Sequence, residues 1–168
     1  MSSIRLTPTS YIVLGFVSLL GEATPYDLKR MVAISVGHFW TFPHSQLYAE
    51  PDRLTAAGYL TVQQEDTGRR RKTYKLTLDG EQELSAWRAA PIEDTYEIRD
   101  PATLKLFFGA EPHALAAMEL NLLRAELSEL EAVMPEAAAG APAGPRLALE
   151  YGLHITRAAI EFWSRLAE

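Results

Sequence analysis

The sequence predicts a mostly α-helical chain with one small β-hairpin, organised as an N-terminal half of helices and hairpin and a C-terminal half of helices alone. Three observations support this. Apolar residues recur at three-to-four spacing along most of the chain. Alternation at period two is confined to YLTVQQE and TYKLTL, which flank a turn with glycine at its tip. Charge is divided as well: residues 1–90 hold ten Lys/Arg against nine Asp/Glu, whereas residues 91–168 hold six against thirteen. Two halves with different work are expected.

Thr7 and Pro8 before YIVLGFVSLL form a helix start, a capping hydroxyl followed by a proline at the first turn, and Gly21 supplies the stop. Thr24-Pro25 repeats the start, with Tyr26, Leu28, Met31 and Val32 expected on one face of a short second helix ending near Gly37. HFWTFPHS reads as an aromatic loop. A third helix carries Leu47, Tyr48, Leu54 and Ala57 and stops at Gly58. Pro51 inside it leaves two alternatives, a kinked helix or a first turn followed by a second helix. Residues 59–77 form the hairpin, with Leu60, Val62, Tyr74 and Leu76 expected to face the core. Asp79 is expected to cap a fourth helix running to about Arg88. This order is that of a winged helix-turn-helix, so residues 1–90 are assigned to such a domain and 91–100 to a linker.

Residues 101–168 read as a helical region. A short helix through LKLFFG leads to a long one from Glu111 to Met134, where His113, Ala116, Leu120, Leu123, Leu127, Leu130 and Met134 make a heptad seam. PEAAAGAPAGP reads as a break. The last helix, 146–167, is apolar on two sides: Leu147, Tyr151, Ile155, Ala158 and Phe162 on one, Leu149, Leu153, Ile160 and Trp163 on the other. So small a helical region cannot cover both, and pairing with a second copy is expected. Leu120, Leu123, Leu127, Leu130, Tyr151, Ile155 and Phe162 are the candidate dimerisation residues.

Composition excludes several classes of function. With no cysteine there are no disulfides, thiolate metal sites or cysteine nucleophiles. No apolar run reaches membrane-spanning length. The N-terminus has no leader pattern, so a cytoplasmic location is expected. The four histidines (38, 44, 113, 154) lack ligand spacing, and no nucleophile elbow or phosphate-cradling glycine loop occurs. Glu119, Glu126, Glu129 and Glu131 read as a solvated helix face. No catalytic residue, metal or cofactor is assigned, and the chain is not expected to be an enzyme.

The candidate site is the hairpin tip with the third helix. Arg69, Arg70, Arg71 and Lys72 put a quarter of the chain's 16 cations in four adjacent positions. Such a run is often no more than a solvated turn, but beside a helix-turn-helix it suits phosphate contact, and arginine suits it bidentately. On the third helix Ser45, Gln46, Ala49 and Asp52 form the polar side, with Tyr48 and Arg53 at its margins. An ordinary surface helix would look the same. As a recognition element, Gln and Ser would read base edges while Tyr and Arg would hold phosphate. Phe39, Trp40, Phe42, Trp87, Phe107, Phe108, Tyr151, Phe162 and Trp163 read as core and dimer packing, or as a flat slot for a small aromatic effector.

Leu6-Thr7-Pro8, Val13-Leu14-Gly15, Tyr26-Asp27-Leu28-Lys29, Gln46-Leu47-Tyr48, Arg53-Leu54, Gly58-Tyr59-Leu60, Gly68-Arg69, Arg71-Lys72, Tyr74, Leu76-Thr77 and Gly80, in that order and spacing, resemble the PadR family of bacterial transcriptional regulators. The C-terminal half is similar to that family's helical dimerisation region. Ala23-Thr24-Pro25 departs from the family's usual His-Gly before Tyr. The resemblance implies a homodimer on double-stranded DNA with a palindromic operator. It also implies repression of nearby genes and release by ligands such as phenolic acids. Gln46 and Tyr48 match its recognition helix and Arg69 to Lys72 its wing. The competing expectations are a winged-helix protein-interaction module that never touches DNA and, third, a small hydrolase.

Overall fold

The structure, a computed structural model, describes residues 4–40, 43–66, 70–93, 97–140 and 142–168, with backbone alone at 44 and 136–140. The chain divides into two compact units, Met1–Glu93 and Asp94–Glu168.

In the first unit, helix α1 (Pro8–Leu20) starts at an extended Thr7, whose N–H donates to Ser10 Oγ at 2.8 Å, and ends at Gly21 with φ 76°. Val13, Leu14, Phe16 and Val17 line its buried side. Helix α2 (Pro25–Ala33) opens with a reciprocal cap: Asp27 N–H donates to Thr24 Oγ1 at 3.2 Å, and Thr24 N–H and its hydroxyl donate to Asp27 Oδ2 at 3.0 and 2.6 Å. Leu28 and Val32 are buried, but Tyr26, expected beside them, is 73% exposed. Two residues along a helix is more than half a turn, so Tyr26 and Leu28 cannot share a face.

A 3-10 turn at Val36–His38 precedes α3 (His44–Ala56), which runs through Pro51 as one helix. The proline ring is fully buried, so its packing offsets the single backbone bond it removes. Gly58 then turns the chain at φ 88° into β1 (Leu60–Gln64), which pairs antiparallel with β2 (Lys72–Leu76); Leu60 lies opposite Leu76 and Val62 opposite Tyr74. Leu60 and Tyr74 are buried, whereas Val62, expected in the core, is exposed. Its cross-strand partner Tyr74 is buried at the same level of the hairpin, so burial there is confined to β2. Ala23 adds a one-residue third strand, exchanging N–H···O bonds of 3.0 and 2.9 Å with Tyr74.

Helix α4 (Leu78–Ala89) is capped by Thr77, not by Asp79 as expected. The Thr77 hydroxyl accepts from Gly80 N–H at 3.0 Å, leaving Asp79 in the first turn, where its charge suits the helix dipole. Gly80 lies so close to β1 that an added Cβ would stand 2.2 Å from the Tyr59 carbonyl oxygen. Tyr11 of α1 stacks on Trp87 of α4 at 4.7 Å and donates its hydroxyl to Glu83 at 3.0 Å. Burial first, and then Glu83, push the Tyr11 phenol up to about 12.

In the second unit, Asp100 caps α5 (Pro101–Phe107), accepting from the Ala102 and Thr103 N–H groups at 2.8 and 3.2 Å. Glu111 similarly accepts from His113 and Ala114 at the head of α6 (Pro112–Gly140). Helix α6 crosses Pro135, where a break was expected, and two residues separate its end at Gly140 from the start of α7 (Ala143–Leu166). The alanine run after Pro135 is strongly helix-forming, and one proline removes one bond.

Helices α6 and α7 pack together. Of the predicted seam, Ala116, Leu120 and Leu130 are buried and Leu123, Leu127 and Met134 half-buried, while His113 is exposed. Leu120 and Leu130, expected to meet a second copy, are thus consumed within the chain's own hairpin. Helix α7 has two distinct sides: Leu153, Thr156 and Trp163 are buried, whereas Leu147, Tyr151, Ile155 and Phe162 are exposed. Among the described residues, no helix is long and apolar enough to cross a membrane.

Candidate nucleic-acid interface

Helix α3 buries Leu47, Glu50, Pro51 and Leu54 against the first unit. The opposite stripe is therefore fixed: Ser45, Tyr48, Ala49 and Asp52, at spacing i, i+3, i+4 and i+7, are all exposed. Gln46 is exposed beside them, and its Oε1 accepts from the Thr9 hydroxyl of α1 at 3.0 Å. Small, amide and phenolic groups on one face of a protruding helix can donate to and accept from base edges and phosphates.

Arg53, expected at the margin of this stripe, is committed inward. Its guanidinium donates to both Glu50 oxygens at 2.8 and 2.6 Å, to Ser10 Oγ at 3.0 Å and to the Arg5 carbonyl at 3.2 Å. Ser10 in turn donates to Glu50 at 2.6 Å. A buried carboxylate must be paired, and the cation one helical turn away is the nearest supply. Burial alone would raise the Glu50 pKa, but the Arg53 and Ser10 hydrogen bonds and the Arg53 charge outweigh it, and the net direction is down. This network locks α3 to α1; the sequence signal for it was Glu50 and Arg53 three residues apart, with Ser10 giving no signal.

The cationic run is only partly a bare prong. Arg69 lies outside the described residues. Arg70 is exposed in the left-handed region at φ 48°, and its carbonyl accepts from Gln64 Nε2 at 3.3 Å. Arg71 is exposed, with Asp27 of α2 at 3.8 Å. Lys72 Nζ donates to Asp52 Oδ1 and Oδ2 at 2.8 and 2.7 Å, and the Tyr74 hydroxyl donates to Asp52 Oδ1 at 2.8 Å. Hydrogen bonds from Lys72 and Tyr74 hold the Asp52 carboxyl below its ordinary value; burial and then Asp52 push the Tyr74 phenol up. Of the expected set, Lys72 is brought onto the outward stripe of α3 through Asp52, Arg71 lies toward Asp27 of α2, and Arg53 is turned inward. Asp52 and Tyr74 were missed as partners because a pairing across 20 residues leaves no local pattern. Among the described residues no group of three or more His, Asp or Glu could hold a metal ion.

The chain is similar in sequence and fold to known proteins. The family model described as "Transcriptional regulator PadR-like family" matches residues 13–86, from α1 through α4. The negative transcriptional regulator PadR of Bacillus subtilis is 34% identical over 130 residues, which cover 72% of this chain and 70% of that protein. The crystal structure of B. subtilis PadR in complex with operator DNA matches with a TM-score of 0.84 at 28% identity, covering 98% of this chain and 99% of that one. The same protein in complex with p-coumaric acid matches at a TM-score of 0.77 and 27% identity, covering 97% of each chain. The helices and hairpin that carry the Ser45–Asp52 stripe fall inside the matched segment, and the likeness runs through both units; the chain belongs to the PadR-like family of transcriptional regulators.

Proposed function

We propose that the chain is a ligand-responsive repressor that binds a palindromic operator as a homodimer. The observation that carries this reading is the outward stripe of α3 beside a basic hairpin, in a chain similar from end to end to a protein solved on operator DNA. Ser45, Gln46, Tyr48 and Ala49 enter the major groove, and Arg70 and Arg71, with Arg69, meet the flanking phosphates. Residues 1–90 serve as the DNA-binding domain and 101–168 as the dimerisation region, joined through 91–100. Tyr151, Ile155 and Phe162 on the open side of α7 meet the second copy, so that two recognition helices reach half-sites about 34–36 Å apart. Arg53, Leu120 and Leu130 are left out of these roles because the chain already uses them internally.

The effector is a small aromatic molecule, supported by the p-coumaric acid complex of the B. subtilis protein; it acts by favouring dimers that fit DNA less well. The regulators among the relatives support a cytoplasmic, non-enzymatic role. Selection of bound sequences from a random duplex pool tests the whole reading. An inverted repeat is expected, with binding that weakens steeply as salt rises; absence of duplex binding at low salt would favour a protein-interaction module instead.

A further inference from the structure

Lys72 belongs to the basic run by sequence, yet the geometry gives it another partner. Its Nζ sits between both oxygens of Asp52, the last member of the outward stripe of α3. The same carboxylate accepts from the hydroxyl of Tyr74, whose ring is fully buried. Asp52 is therefore held from below by the core and from the side by the hairpin, although its side chain remains 53% exposed. An unneutralised carboxylate on that stripe would face the phosphates of any duplex docked there, a like-charge repulsion.

We propose that Asp52 and Lys72 form a strut between hairpin and recognition helix, with Lys72 staying on Asp52 in the DNA complex rather than contacting phosphate. This inference rests on the DNA-binding reading above. To reach a phosphate, Lys72 would have to give up two charge-assisted bonds and leave Asp52 bare toward the DNA. Arg71 has no such constraint: its approach to Asp27 at 3.8 Å is longer than a hydrogen bond. The strut fixes the distance between the groove-reading stripe and the phosphate-reading arginines, which makes Asp52 a specificity-determining residue. It also keeps one cation from adding sequence-blind affinity.

The salt dependence of binding to a mixed-sequence duplex tests this, with folding of each variant checked by thermal melting. Lys72→Met leaves Asp52 bare toward the duplex and is expected to weaken binding and make the slope of log affinity against log salt shallower, so the charge-matched double variant is the discriminating one. Asp52→Asn frees Lys72 and is expected to steepen the slope by about 1.8 for a dimer, ~0.9 for each new phosphate contact. The double variant is expected to return to the wild-type slope, and both single variants to lose preference for the duplex recovered by selection. A slope shallower than wild type in the double variant overturns the proposal, because Lys72 then contacts phosphate in the native complex, and it decides alone if Asp52→Asn fails to fold. Wild-type protein without salt-dependent duplex binding would bring down the DNA-binding reading, and this inference with it; that failure shows before any variant is made.

Discussion

The two units differ in the size of the core they close, although both leave large apolar side chains exposed. In residues 1–93 the large side chains converge: Val13, Leu14, Val17, Leu28, Leu54 and Leu84 are all but inaccessible, and the polar groups among them are paired through Ser10, Glu50 and Arg53. In residues 94–168 a small cluster around Ala116, Leu120 and Trp163 coexists with exposed Phe107, Phe108, Leu122, Tyr151 and Ile155. Tyr151 and Ile155 are 57% and 50% exposed on a helix whose other side is already buried. The first unit closes the larger core; in the second, one side of α7 is spent on the chain's own packing and the other side stays apolar and open. An apolar helix side left open opposite a buried one suits association, and it is the surface that the proposed dimer would use.

The largest expected effect falls in the first unit. Gly80→Ala places a methyl group 2.2 Å from the Tyr59 carbonyl, and backbone cannot yield as a side-chain tip would. A loss of about 3 kcal/mol in urea unfolding is expected, without change in the association of the second unit. A loss below about 1 kcal/mol would mean that α4 can shift off β1 freely.

In the second unit Tyr151→Glu and Ile155→Glu should separate the copies while leaving α6 and α7 packed. Each substitution acts twice at a twofold interface, and at about 1.4 kcal/mol per site the dissociation constant rises roughly a hundredfold. Sedimentation over a dilution series reads this directly. An unchanged dimer would place the interface on another face.

Acid should act on the units unequally. Asp27, Glu50 and Asp52 of the first unit are all held below their ordinary values, Asp27 chiefly by Thr24, Glu50 against its burial by Arg53 and Ser10, and Asp52 by Lys72 and Tyr74. A lowered carboxylate gives stability that is fully present above its unfolded value and is lost as pH falls through its folded value. In the second unit Glu111, capped onto backbone N–H groups, moves the same way. Glu119 is raised, by burial first and then by Asp100 and Glu126. Its ionised form is a burden on the fold, relieved as pH falls through its raised value. Unfolding followed separately in the two units should therefore show the first losing more stability below the ordinary carboxylate range. Glu50→Gln should flatten that loss and cost about 2 kcal/mol at neutral pH, because it leaves Arg53 with half its partner.

Much of the first unit was legible because its signals are local. Thr7-Pro8, Gly21, Thr24-Pro25 and Gly58 act within one turn of where they stand, and alternation in YLTVQQE and TYKLTL sets a hairpin register by itself. The same locality explains the misses. Asp79 and Thr77 both suit a helix start, and only the Thr77 bond to Gly80 decides between them. Arg53 on a polar margin looks free until α1 brings Ser10 and the Arg5 carbonyl to it. The heptad seam of α6 was real, but periodicity cannot say whether its partner is α7 of the same chain or a helix of another. Pro135 reads as a stop on any local rule, and the alanines after it prevail only by their sum.

The single-residue strand at Ala23 has a consequence for self-association. Its two bonds to Tyr74 occupy the side of β2 away from β1, so β2 has a neighbour on each side at that position. Of the two strands, β1 keeps the open backbone edge, and its exposed stretch is Thr61, Val62, Gln63 and Gln64, with a single apolar residue. An edge this short and mostly polar is a poor template for a stranger's strand.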